Sequence, residues 1–300
     1  MTKALRVHND RTFQGLCRQR PADWGVGVTI CIAALSQDRI ILATDQMIAV
    51  ESASADVALK IRALNKNWIG MFAGDIEHFD PIVRDVKAEI GESDCTVTSL
   101  SGVFTAAYQR RRQKEIENRV LSSYDLTWDE FKREGATIFK EWFNTITTQI
   151  EHVTLGSEPL ELMVAGFDAD GPHLFSIEHP GADRHHDTIG FHVIGSGANS
   201  ALGLLYFHAY NRRAPVAVNT YRVCQARFFA RGARGVGRET SLVVWTRDMP
   251  IEFRKQTIEE IREHWEKAGA PSIPSWVDEV IGPLVESKTA VAGKTQRVVF

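Results

Sequence analysis

Thr29, Asp45, Lys60 and Gly74 are the residues of this chain whose types and spacing suit acyl transfer to a hydroxyl group. Two short apolar runs, Thr29–Leu35 and Arg39–Thr44, flank Ser36-Gln37-Asp38 and read as a buried β-hairpin. In an antiparallel pair, residues equidistant from the turn centre face each other. A turn centred on Gln37 therefore sets Thr29 opposite Asp45, each eight residues away. Two further runs, Lys60–Leu64 and Trp68–Ala73, flank Asn65-Lys66-Asn67 and read as a second hairpin. It begins with Lys60 and ends in Ala73-Gly74-Asp75, where a glycine can expose a backbone N–H at a strand end. A hydroxyl nucleophile, a carboxylate, a lysine and a glycine amide are the parts of an acyl-transfer site.

The rest of the chain must hold these parts together. From about Ile76 to Val153 the apolar period becomes helical: Ile82, Val86 and Ile90, and later Phe131, Ile138, Phe139, Trp142, Phe143 and Ile146, predict at least three helical segments. Strand patterns return in Leu160–Phe167, His173–Glu178 and Phe191–Ile194, helices at about Asn199–Asn211 and Val216–Arg231, and a strand in Ser241–Thr246. Hairpin connections rather than alternating βα units predict an α+β fold, antiparallel sheets covered by helices. Beyond Pro250, Thr257 with Glu260 forms a capping-box pattern for a helix to about Ala268, after which Pro271, Pro274 and Pro283 interrupt any regular element.

These residues resemble the N-terminal nucleophile hydrolases of proteasome type. Thr29-Ile-Cys-Ile-Ala-Ala-Leu and Ile-Ile-Leu-Ala-Thr-Asp45 are similar to the opening strands of a catalytic proteasome subunit, with the same Thr-to-Asp separation of sixteen residues. Lys60-Ile61 resembles the family's lysine segment, Phe72-Ala73-Gly74 its oxyanion loop, Leu162–Ile177 its paired central strands, and Ile194-Gly-Ser-Gly-Ala-Asn-Ser-Ala201 its turn into a helix. The blocks run in order from Thr29 to Thr246, and the Thr-Ile-Cys-Ile-Ala-Ala opening and the long helical region before Leu160 bring the chain nearest to small bacterial proteasome-like proteins. The resemblance implies a four-layer αββα sandwich of two antiparallel sheets over residues 29–250, a helical tail over 251–300 and an N-terminal extension over 1–28. It implies a threonine-type amide hydrolase, a peptidase acting on peptides or other amides, that needs no cofactor or metal and self-associates. In that chemistry the α-amine of Thr29, with an ordinary pKa of about 7.7–8.0, takes the hydroxyl proton. Lys60 supplies positive charge, Asp45 orients Lys60, the Gly74 N–H stabilises the oxyanion and Ser196 supports the terminal amine.

The chain departs from the family in two places. Ala233 and Val236 stand where an Asp and a Ser support the amine, and Val28 precedes Thr29 where the family has a glycine. Met1–Val28 has no apolar stretch of the length a secretory signal needs and no clear period. GTG encodes valine and is also a bacterial start codon, so initiation at Val28 followed by methionine removal would expose Thr29. An unusual propeptide, or a permanently blocked, non-catalytic ring-forming subunit, are the alternatives.

Composition narrows the partners. The net charge of −3, from 35 basic and 38 acidic residues among 300, gives no bulk field for nucleic acid or an anionic membrane. The apolar runs fall short of the roughly 20 residues that cross a bilayer. Cys17, Cys31, Cys95 and Cys224 form no CxxC pair, which with the missing signal reads as a reduced, cytoplasmic protein. Gly195-Ser-Gly lacks the third glycine of a dinucleotide fingerprint. His173, His179, His185, His186 and His192 read as surface and turn histidines rather than metal ligands, and Arg227, Arg231, Arg234 and Arg238 as a solvated helix face. Arg110–Lys114 reads as a solvent-facing stripe, and Cys31 as an ordinary buried strand residue. A regulatory ATPase does not follow from the sequence.

Overall fold

The computed structural model describes residues 30–45, 47–50, 53–56, 60–233 and 236–269. Strands β1 (Cys31–Ser36), β2 (Arg39–Asp45), β3 (Met47–Val50), β4 (Ala53–Asp56), β5 (Ile61–Ala63) and β6 (Trp68–Ala73) come first. Helices α1 (Ile76–Ile90), α2 (Val97–Arg119), α3 (Trp128–Phe139) and α4 (Phe143–Glu151) follow. Then come β7 (Glu161–Asp168), β8 (Gly171–Glu178), β9 (Ala182–His185) and β10 (Phe191–Ile194), helices α5 (Ala198–Phe207) and α6 (Val216–Ala230), strands β11 (Thr240–Trp245) and β12 (Pro250–Glu252), and helix α7 (Lys255–Ala268).

The strands form two five-stranded antiparallel sheets, ordered β10-β1-β2-β11-β12 and β5-β6-β7-β8-β9, and a two-stranded β3-β4 ribbon. The antiparallel α+β class expected from the hairpin spacing is found; the ribbon, β9 and β12 were not anticipated. Side-chain alternation explains the stacking. Cys31, Ala33, Leu35, Ile40 and Leu42 of the first sheet share one core with Met71, Ala73, Met163, Ala165 and Phe167 of the second. The opposite face of the second sheet, with Phe72, Leu162, Val164, Phe175 and Ile177, packs on Phe79, Val86, Phe104 and Tyr108 of α1 and α2. Helix α6 packs against β1 and β2. Each central strand is thus buried on both faces, which is why β1 and β6 read as unbroken apolar runs.

A separate apolar cluster ties α3 and α4 to the end of α2 through Ile116, Leu121, Phe131, Ile146 and Ile150. The N-terminus of α3 carries a full capping box between Thr127 and Glu130. The box expected at Thr257 and Glu260 is not formed: α7 starts at Lys255, so Thr257 lies inside its first turn, and Glu260 accepts instead from Gln256 Nε2. The chain divides into two compact units between Arg262 and Glu263; in the second, Lys267 Nζ lies 3.8 Å from the Glu263 carboxylate. Among the described residues no helix is long and apolar enough to cross a membrane.

Candidate functional site

The first hairpin closes one residue more tightly than its sequence suggests. Gln37 takes a left-handed φ of 56°, so Ser36 pairs directly with Arg39 and Cys31 with Thr44. Asp45 consequently faces Ile30, not Thr29: the Asp45 N–H donates to Ile30 O at 3.2 Å, and the Ile30 N–H donates back to Asp45 Oδ1 at 3.1 Å. A loop of two residues, Gln37 and Asp38, instead of three moves every pair by one. Thr29 itself lies outside the described residues; its successor in the chain is held by the Asp45 carboxylate.

Lys60, at the entry to β5, donates from Nζ to the same Asp45 Oδ1 at 2.7 Å. Both side chains are buried, 1% and 0% exposed, so this is a desolvated ion pair joining the two sheets. The other oxygen, Asp45 Oδ2, accepts the Gly237 N–H at 3.0 Å. Asp45 therefore anchors three segments far apart in sequence.

Gly74 follows β6 with φ 112°, and a Cβ there would come within 3.3 Å of Leu160 Cα, so a side chain would be strained both by backbone conformation and by contact. The end of β6 lies beside the start of β1, where Cys31 Sγ donates to Phe72 O at 3.5 Å. Burial pushes the Cys31 thiol up to about 12, against the opposing pull of Lys60, which fits an inert core thiol rather than a nucleophile. Ser196 is exposed in the turn between β10 and α5. Its neighbours hold that turn in place: the Gly195 N–H donates to Glu161 Oε2 at 2.8 Å, and a Cβ on Gly197 would lie 3.1 Å from Ile30 Cδ1. The structure thus joins Asp45 directly to Lys60, and brings the chain neighbours of Gly74 and Ser196 to the start of β1.

One further polar group stands out. Among the described residues Thr44 Oγ1 is buried without a hydrogen-bond partner, between Cys31 and Ser241 across the sheet. Replacing Thr44 with valine removes this hydroxyl at nearly constant shape and should stabilise the protein by about 1 kcal/mol. A higher urea midpoint is the expected reading; a lower one would mean the hydroxyl is satisfied.

Arg227 corrects the reading of an arginine-lined solvated face. It is fully buried, and its Nη2 donates to Gly237 O at 2.6 Å and Glu239 O at 2.9 Å. The signal was present: Arg227 continues the buried stripe of Thr220, Val223, Cys224 and Ala230 on α6.

His185 is exposed, as a surface reading expects, but His173, His186 and His192 depart from it. His173 sits between Asp187, at 2.6 Å from Nδ1, and Asp168, at 2.7 Å from Nε2. His186 stacks on His192 with centroids 3.8 Å apart, and its Nε2 lies 2.9 Å from Ser176 Oγ. No group of three or more potential metal ligands is arranged to hold an ion among the described residues.

No protein-family model matches this chain, and no curated protein matches it.

Proposed function

We propose that the chain is a threonine-type amide hydrolase with the αββα sandwich of proteasome-like N-terminal nucleophile proteins, acting when Thr29 is the terminal residue. The observation that carries this reading is the buried Asp45–Lys60 pair bound to the backbone N–H of Ile30, the residue joined to Thr29. Burying an ion pair costs several kcal/mol of desolvation, and a well-packed apolar pair often serves stability as well or better. Such a pair at the start of a strand is explained by chemistry there.

In the proposed reaction the α-amine of Thr29 takes the proton from its own hydroxyl, and the oxygen attacks the substrate's amide carbonyl. Lys60 favours the developing alkoxide electrostatically. The tetrahedral oxyanion is stabilised by the Gly74 N–H, a contribution of a few kcal/mol. Collapse expels the amine with that proton and leaves an ester on Thr29, which water hydrolyses to regenerate the hydroxyl. Self-association and a preference for peptides belong to the same reading through family resemblance.

Val236 favours the second reading, an inactive ring-forming subunit. This buried apolar side chain stands where the resemblance expects a polar support for the amine. The test is hydrolysis of a fluorogenic peptide-amide panel by protein beginning at Thr29. Substituting Thr29→Ala should lower kcat/KM by roughly a thousandfold. Undiminished hydrolysis in that variant would remove the mechanism.

A further inference from the structure

We propose that Arg227 is a positioning residue for the Asp45–Lys60 pair, acting through the backbone of Gly237. Its consequence for catalysis rests on the hydrolase reading; its effect on the pair does not.

In the segment after α6, Ala233, Val236 and Gly237 carry no polar side chain. What it contributes is a backbone donor, the Gly237 N–H on Asp45 Oδ2. An N–H on a connecting segment is only as well placed as the segment itself. Arg227 holds this one from below, donating to the carbonyls of Gly237 and Glu239, on either side of Arg238. Gly237 is thereby strung between a cation at its carbonyl and an anion at its N–H.

An apolar side chain of similar length would fill the same space against β1 and β2 without the desolvation cost of a guanidinium. The arginine is therefore explained by its two donated bonds, whose effect passes in sequence from Arg227 to Gly237, Asp45 and Lys60. Lysine would keep the charge and has donors enough for both carbonyls, but its ammonium lies one bond short of the Nη2 position that makes both bonds. Position 227 should accordingly tolerate lysine only in part.

The experiment measures amide hydrogen exchange and hydrolysis in Arg227→Met and Arg227→Lys, with Val164 and Phe175 of the second sheet as internal controls. In Arg227→Met the Gly237 and Ile30 amides should exchange about 100-fold faster, while Val164 and Phe175 stay within about threefold. In protein beginning at Thr29, kcat should fall roughly thirtyfold with KM nearly unchanged, and Arg227→Lys should recover part of both effects. Unchanged exchange at Gly237 would overturn the proposal. So would equal acceleration at all four amides, which marks Arg227 as a general core residue. Selective acceleration with unchanged kcat would overturn its catalytic consequence. Selective acceleration in a protein that hydrolyses no amide even with native Arg227 would uphold the link to Asp45 and sink the hydrolase reading instead. If Arg227→Met does not fold, Arg227→Lys carries the same comparison.

Discussion

Replacing Lys60 with methionine should cost about 3–5 kcal/mol of stability and abolish amide hydrolysis, because it strands the buried Asp45 carboxylate with only backbone donors. Two N–H groups, those of Ile30 and Gly237, would remain on that carboxylate, but the opposite charge would be gone. Asp45→Leu alone should also be damaging, since it removes the carboxylate that pairs with the buried Lys60 ammonium, at 1% exposure. Combining Asp45→Leu with Lys60→Met removes both charges together and should recover most of the lost stability. It should recover none of the activity. Urea unfolding of the two single variants and the double variant measures the stability part, and peptide-amide turnover the rest. A double variant that regained turnover would show that the pair serves only folding.

Acid should loosen the contact between the sheet edges at His186 and His192. His192 lies on β10 at the edge of the first sheet, opposite Ala33, and His186 follows β9 at the edge of the second. Their rings are nearly parallel, at 7°. Burial, with each ring facing a further basic group, lowers both from 6.5 to about 4: His192 itself acts on His186, and Arg184 acts on His192. Ser176 Oγ donates to Glu178 Oε1 at 3.3 Å and lies 2.9 Å from His186 Nε2. Between these values the unfolded chain binds the protons that the folded protein excludes. Stability therefore falls as the pH drops from about 6.5 toward about 4. We expect roughly 3 kcal/mol for the pair, less than the full value of the two shifts, because both rings keep some contact with solvent.

His173 works in the opposite sense. Burial opposes its charge, but the hydrogen bonds and charges of Asp187 and Asp168 outweigh it and raise its pKa. Its contribution is complete below the unfolded value and is lost as pH rises through the folded one. Thermal melts across this range, repeated with His192→Phe, separate the two. The variant should lose much of the acid-side decline and keep the alkaline-side one; an unchanged acid-side decline would assign it to other groups.

The strands around the site were legible because burial on both faces makes each an apolar run bounded by turn residues, as in Cys31–Ser36 and Trp68–Ala73. The meeting of Asp45 with Lys60 is what the family resemblance implies, though not the pairing opposite Ile30. That depended on Gln37 accepting a left-handed φ, which its residue type does not announce. Arg227 was missed because an arginine is normally a surface residue, and only its place on the buried stripe of α6 marks it as internal. Short edge strands such as Pro250–Glu252 are exposed throughout and carry no alternating pattern to read. The Ser176–His186–His192 contacts join residues of different strands and sheets, a placement that only the folded topology creates.

The central claim is that Thr29 acts as an N-terminal nucleophile, with its own α-amine as the base. N-terminal sequencing of the purified native protein tests it most directly. The account predicts a first cycle of threonine and the run Thr-Ile-Cys-Ile; a run of Met-Thr-Lys-Ala, with Thr29 locked in a peptide bond, would contradict it.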